Sequence, residues 1–300
     1  MDSASPPYQP ASFDKAGIVI IGTGAVGSSL ATALSKCGFP IVGIMSRTLN
    51  RAQDLALRVE SPLALTFSDQ LPTNTQVVFL CVPDDVITST AHQLIGALNW
   101  NDTIVAHTSG AKAASALRPL ADQGAAIMSF HPMQTFTRAA TASFSDIYIG
   151  IEGESRAVQE GIKISRLLGA KHLVIKTPDK PRYHLAASIA SNFMVTLMSV
   201  SCDVLESIGI NRNEAVALLK PLVTQTCTNV TSNLPEQVLT GPAVRGDKKT
   251  LEMHLGALQQ HLPHLDPFYR TLLDKTLAVA LNSGRLDDEV IEEIKRDWPE

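Results

Sequence analysis

Three histidines, two serines and an asparagine occupy positions from which a small substrate could be polarised or protonated. His107 and Ser109 close one apolar run and His131 closes another, while His184, Ser188 and Asn192 recur four residues apart. An imidazole can serve as acid, base or carbonyl polariser near neutral pH. The serine hydroxyls can bond a carboxylate or a carbonyl. The spacing of 184, 188 and 192 sets those side chains in one stripe along about 12 Å of helix. Their neighbours Leu185, Ile189, Phe193 and Leu197 are apolar, so the stripe must find polar partners or cost free energy. A cleft supplies such partners, and so does a hydrogen-bond network between helices. His107 and Ser109 have a plainer reading as helix caps, and His131 as a satisfied histidine before a proline turn. Arg245 lies in the loop Gly241-Pro242-Ala243-Val244-Arg245-Gly246-Asp247. A guanidinium there suits a substrate carboxylate, or is simply a surface arginine, while Asp247 reads as the cap of the next helix.

The elements that position these groups begin with Gly22-Thr23-Gly24-Ala25-Val26-Gly27. Gly17 to Ile21 before it is short, apolar and β-branched, as a buried parallel strand is. Ser28 to Gly38 after it has Leu30, Ala31 and Leu34 at helical spacing and a glycine stop. Strand, glycines and helix in that order are the context that makes the glycine pattern a dinucleotide site. Gly22 makes the turn, Gly24 admits the pyrophosphate, and Gly27 lets the helix approach the sheet. The pyrophosphate would rest on the free amides of the helix N-terminus.

The nucleotide is read from the next strand end. Ile41 to Met45 runs into Ser46-Arg47-Thr48, with Arg51 one turn later. NAD sites usually place a carboxylate there for the ribose hydroxyl, and none is present. A guanidinium favours a 2′-phosphate, so the expected cofactor is NADP, with Ser46, Arg47, Thr48 and Arg51 around that phosphate. Val82 and Pro83 close the following strand and complete the expected cofactor-binding set.

The chain has 300 residues, 45% of them hydrophobic, and a net charge of −4. It is long enough for two domains and a sizeable core. Its charge suggests no nucleic-acid or anionic-membrane partner. Cys37, Cys81, Cys202 and Cys227 form no paired motif, which fits a reducing cytoplasm. No metal-ligand spacing is present. Residues 1–14 read as a disordered tail. Leu185 to Val200, interrupted by Ser188, Ser191, Asn192 and Thr196, reads as a buried helix, short for a membrane span.

Between 17 and about 176 strands and helices alternate, with further strands at 76–82, 102–106, 125–130, 147–151 and 172–175. That pattern predicts a doubly wound, mostly parallel α/β sheet over 15–178. Beyond the Thr177-Pro178-Asp179-Lys180-Pro181 link only helices are expected, over 179–300: 182–208, 213–227, 248–260, 267–283 and 287–295. Ligands of open α/β sheets bind outside the carboxyl ends of the strands, where Asp84, Asp85, His107, Ser109 and His131 fall.

Taken in order, the glycine loop, Cys81-Val82-Pro83-Asp84-Asp85, His107-Thr108-Ser109-Gly110, His131-Pro132-Met133-Gln134-Thr135-Phe136, the helix with His184 and Asn192, and Gly241-Pro242 with Arg245-Gly246-Asp247 resemble a bacterial family. That family pairs a Rossmann-like NADP-binding domain with a helical domain of unknown function. It is similar in turn to ketopantoate reductase, pyrroline-5-carboxylate reductase, the β-hydroxyacid dehydrogenases and prephenate dehydrogenase. The resemblance implies an all-α C-terminal domain of the 6-phosphogluconate dehydrogenase type and a homodimer formed through it. It also implies hydride transfer between NADP and a small oxo, hydroxy or imino carboxylate bound between the domains. Arg245 would hold the carboxylate, His107, Ser109 and Ser188 would line the substrate, and His131, or His184 with Asn192, would handle the proton. The relatives carry a lysine one turn before an asparagine. If Asn192 is that asparagine, Ser188 replaces the lysine, which leaves open an NADP-binding sensor without turnover. The His131-Pro132-Met133 match leaves open a prephenate-type oxidation.

Overall fold

The computed structural model describes residues 16–137 and 142–296; the expected tail lies outside them. The chain divides into two compact units, 1–192 and 193–300. The first is built on eight strands: β1 (Gly17–Ile21), β2 (Ile41–Met45), β3 (Ala64–Leu65), β4 (Thr75–Leu80), β5 (Ile104–His107), β6 (Ala126–Pro132), β7 (Tyr148–Gly153) and β8 (Lys171–Val174). Among them lie helices α1 (Ala25–Lys36), α2 (Leu49–Arg58), α3 (Ile87–Gln93), α4 (Arg118–Ala121) and α5 (Ser155–Leu167). Then follow α6 (Lys180–Glu206), α7 (Arg212–Ser232), α8 (Pro235–Val238), α9 (Lys248–His261), α10 (Asp266–Asn282) and α11 (Asp288–Arg296).

The strands form one sheet in the order β3-β2-β1-β4-β5-β6-β7-β8. Among the described residues only the β6–β7 pairing is antiparallel. Pleating sends alternate side chains of β1 to opposite faces. Ile18 and Ile20 join Leu30, Leu34, Leu55 and Ile164 in one core. Val19 and Ile21 join Ile87, Ala91, Leu117 and Leu120 in the other. Each such aliphatic side chain, fully buried, contributes about 1.5–3 kcal/mol. A strand hydrophobic on both sides is therefore stable only where helices cover both faces, as the continuous apolar run of β1 predicts.

β1 pairs with both β2 and β4. The chain leaves β1 for β2 on one side and comes back to β4 on the other, which opens a crevice at their carboxyl ends. β3, two residues long, falls below what an alternation pattern can reveal. The expected domain link at 177–181 forms a short 3-10 turn, Thr177–Asp179, that runs directly into α6. The division between compact units falls farther along, inside α6.

The reading of this helix as buried is corrected. Thr177–Glu206 is long and apolar enough to cross a membrane by length and composition, yet only 6% of its most apolar window is buried. Leu185, Ile189, Phe193, Val195 and Leu197 are exposed. In the second unit Leu251, Leu273, Leu277, Ala280, Ile291 and Ile294, from α9, α10 and α11, form a separate core.

Candidate functional site

The glycine loop leaves β1 with Gly22 at φ +103°, where a Cβ would lie 2.3 Å from the Cys81 carbonyl oxygen. A Cβ at Gly27 would meet the Gly22 carbonyl oxygen at 2.0 Å. Both positions exclude a side chain, which is how α1 comes down onto the sheet. Around Gly24 the space is open, as an incoming phosphate requires. Helix α1 has no side-chain cap and no acidic residue in its first turn, so its amides face outward uncompensated.

This loop forms one wall of a cavity of about 860 Å³. Gly22, Thr23, Gly24, Ser46, Arg47, Thr48, Arg51, Val82 and Pro83 line it. Ala25, Val26 and Gly27 do not, because they turn into α1. The Ser46 and Thr23 hydroxyls stand 3.3 Å apart, and Arg47 and Arg51 are exposed at the rim. Phe67, Cys81, Asp85, Val86, Ser89, Thr90 and Gln93 complete the lining. Phe67 follows the two-residue strand β3, which leaves it no sequence signal. The cavity matches a dinucleotide in its open glycine, its outward amides and its cationic end.

The turn after β4 belongs to two neighbourhoods. Pro83, Asp85 and Val86 face the cavity. Asp84 accepts a hydrogen bond from Ser109 Oγ at 2.6 Å. Ser109 Oγ also accepts from the Lys112 amide at 3.0 Å. His107 is fully buried. Its Nε2 lies 3.0 Å from the Ala113 carbonyl oxygen, and its Nδ1 accepts from the Ser109 amide at 3.2 Å. Both nitrogens are thus committed to the loop after β5, and burial lowers the affinity of His107 for a second proton. The expectation that His107 lines the substrate is corrected: it shapes the loop. Ser109 is buried and doubly engaged, and holds Asp84 rather than standing open.

His131 and His184 do come together. The rings are 6.0 Å apart between centroids and inclined at 71°. The backbone of Gly110 lies against both: a Cβ there would fall 2.6 Å from His184 Cδ2 and 2.8 Å from His131 Nε2. His131 Nδ1 is 3.0 Å from the Tyr183 hydroxyl. Burial pushes the Tyr183 phenol up to about 12, against a backbone hydrogen bond at Gly150. Tyr183 therefore keeps its proton, and its hydroxyl can either donate to Nδ1, which places the ring proton of neutral His131 on Nε2, or accept from an Nδ1–H. Burial first, then the charges of Lys180 and His184, hold the His131 imidazolium down to about 4.

Ser188 and Asn192 continue the stripe roughly 6 and 12 Å farther along α6; His184 is the member of the three whose ring meets His131. Arg245 lies in the second compact unit, exposed and 3.9 Å from Asp247, and Asp247 caps α9 through the Thr250 amide, as its sequence position suggests. Among the described residues no three His, Cys, Asp or Glu side chains gather as metal ligands.

The sequence reading missed Lys180 and Tyr183. The lysine expected near 188 is absent there, but Lys180, roughly two turns earlier, is 1% exposed and donates to Ser129 Oγ at 2.7 Å. Its place among prolines gave it the look of a surface link. The one signal available was its spacing of three and four residues to Tyr183 and His184.

Two family models divide the chain. A Rossmann-like domain matches residues 5–132, and a domain of unknown function, DUF2520, matches residues 147–276. Strands β7 and β8 fall within the second match. No curated protein matches it. Among solved structures it is similar to a Bacteroides fragilis protein named as a candidate NADP oxidoreductase, at 23% identity and TM-score 0.73, covering 88% of this chain and 98% of that one. A Thermotoga maritima protein has 27% identity and TM-score 0.71 over the same shares. A pyrroline-5-carboxylate reductase from Coxiella burnetii has 16% identity and TM-score 0.59, over 92% of this chain and 100% of that one.

His107 and His131 have depressed affinity for a second proton in the folded chain, so the unfolded chain binds more protons as pH falls. The stability this neutral state contributes is complete above about 6.5 and is lost progressively as pH falls from there towards about 4. Urea unfolding at pH 7.5, 6, 5 and 4.5 is expected to show a falling midpoint. The slope should be shallower in His131→Gln; an equal slope would remove His131 from the account.

Proposed function

We propose that the chain is an NADP-dependent oxidoreductase that transfers a hydride to or from a small oxo, hydroxy or imino carboxylate. The observation that carries this reading is the shared turn after β4. It has the dinucleotide-shaped cavity on one side and, through Asp84 and Ser109, the loop that abuts His131 and His184 on the other. The names of the structural neighbours support the same class. Bound NADP would supply or accept the hydride. His131 would present its Nε2 proton to the substrate carbonyl or imine, a neutral donor whose orientation Tyr183 fixes through Nδ1. His184 would form the adjoining wall. The four cysteines are free, which supports a reducing, cytoplasmic setting.

We also assign the exposed apolar side chains of α6 and α7 to a second copy of the chain. Phe193, Val195, Leu218 and Leu222 are each more than half exposed, and exposed apolar residues that recur along helices mark protein contacts.

Calorimetric titration is expected to show NADPH binding more tightly than NADH. Arg47→Ala with Arg51→Ala should weaken NADPH about 10- to 100-fold, as loss of charge-assisted bonds does, and leave NADH nearly unchanged. Equal losses for both would remove the 2′-phosphate assignment. NADPH oxidation with pyruvate and with pyrroline-5-carboxylate as probes tests turnover. His131→Asn should keep cofactor affinity and lower kcat by about 10²- to 10⁴-fold. Binding without turnover in the parent, across a wider panel of oxo and imino acids, would favour the sensor. Sedimentation velocity should give a dimer, and Val195→Glu with Leu222→Glu a monomer; a monomeric parent would overturn the second-copy assignment.

A further inference from the structure

A strand and a helix meet here two side chains against two. On β6, Ser129 and His131 are separated by one residue, so both project from the same face of the sheet. On the first turn of α6, Lys180 and Tyr183 stand three residues apart and share a face, with His184 beside them. Lys180 contacts Ser129 at 2.7 Å. Tyr183 contacts His131 at 3.0 Å. The two contacts lie side by side and set the helix turn in register with the strand.

The lysine contact is costly. Lys180 is 1% exposed and Ser129 is wholly buried. A buried ammonium is tolerated only when hydrogen bonds and opposite charge replace its water. Ser129 Oγ accepts from the ammonium and donates its own hydrogen bond to the Ser109 carbonyl oxygen at 3.0 Å. Ser109 in turn grips Asp84. Glu152, also buried, accepts from the Ala114 amide and from Thr177 Oγ1, each at 2.7 Å. Asp84 and Glu152 attract the ammonium while burial opposes its charge. An aliphatic side chain would fill the same space without that penalty. What it could not do is bond Ser129, and through Ser129 the loop carrying Gly110.

We propose that Lys180 is a positioning residue for proton handling: seated on Ser129, it fixes both the first turn of α6 and the loop after β5, so that Tyr183, His184 and Gly110 close around His131. This rests on the reading of His131 as the group that polarises the substrate. Lys180 is a positioning residue in this assignment, because its ammonium bonds Ser129 and its side chain is 1% exposed. The groups whose charges reach His131 are Lys180 and His184 from α6, Asp84 from the turn after β4, and His107 from β5. Removal of the Lys180 charge is therefore felt at the imidazole as well as in the geometry.

The test uses the full-length chain with histidine ring nitrogens labelled for NMR, which needs no substrate. In the parent, His131 should remain neutral down to about 4, with Nδ1 hydrogen-bonded and the proton on Nε2. In Lys180→Met the midpoint should rise towards the ordinary histidine value of about 6.5 and the Nδ1 shift should report loss of the tyrosine contact. Lys180→Arg should restore the midpoint at least in part. NADPH affinity, read in parallel, should stay within about 2-fold, since the cofactor cavity lies across the turn after β4. With a probe that the parent turns over, Lys180→Met should lower kcat by about 10²-fold, the effect of a misplacement near 1 Å, with KM little changed. A Lys180→Met protein with the parent's His131 midpoint and nitrogen shifts would overturn the proposal. Should that variant fail to fold, Ser129→Ala keeps the charge and drops only the hydroxyl. A changed Nδ1 shift there supports the positioning role and an unchanged one overturns it. If His131→Asn turns over as the parent does, the proton-handling reading fails, and the titration still decides whether Lys180 positions His131.

Discussion

An ammonium sits where water does not reach it, and the carboxyl edge of the sheet is organised around that cost. Lys180 is held by Ser129, Ser129 holds the Ser109 carbonyl, and Ser109 holds Asp84. Each link satisfies a polar atom that burial would otherwise penalise. The chain of bonds runs from the start of α6 across β6 and the loop after β5 to the turn after β4. A network of this kind is stable only when complete, so its members have little freedom, and neither has the His131 site they surround.

That rigidity has a chemical use. His131 is flanked by Tyr183, His184 and Gly110, and among the described residues no carboxylate hydrogen-bonds its ring. A carboxylate partner would stabilise the imidazolium; a neutral phenol bonds the ring without adding charge. Under the function we propose, the uncharged ring of His131 is the group that would polarise a substrate carbonyl or imine. The dinucleotide-shaped cavity follows different physics. It depends on absent side chains at Gly22, Gly24 and Gly27 and on uncompensated amides at the start of α1. The turn after β4 is the one segment that answers to both.

The helices α6 and α7 present a different balance. Their apolar side chains remain in water in the single chain, a state that another apolar surface would relieve at about 25 cal/mol for each Å² covered. The polar residues Ser188, Ser191 and Asn192 interrupt that surface along α6, and they separate it from an unbroken lipid-facing helix.

Much of this arrangement was legible in the chain before folding. Continuous β-branched runs mark β1, β2 and β4 because both faces of those strands are buried. The glycine loop declares itself because no other residue fits where Cβ atoms would strike carbonyl oxygens. Absence of a carboxylate after β2 likewise points to NADP without any coordinates. Other features belong to tertiary structure alone. β3 is too short to show a period, and β7 runs antiparallel to β6 through pairing that local sequence does not encode. His107 has the look of a substrate ligand in sequence, yet both its nitrogens turn back to the loop that carries it. Lys180 has the look of a solvated residue between prolines. Its burial is set by the register of the first turn of α6 against Ser129 and His131. A sequence establishes which residues stand three or two apart; only packing decides which pair of elements will face each other and exclude the water between them.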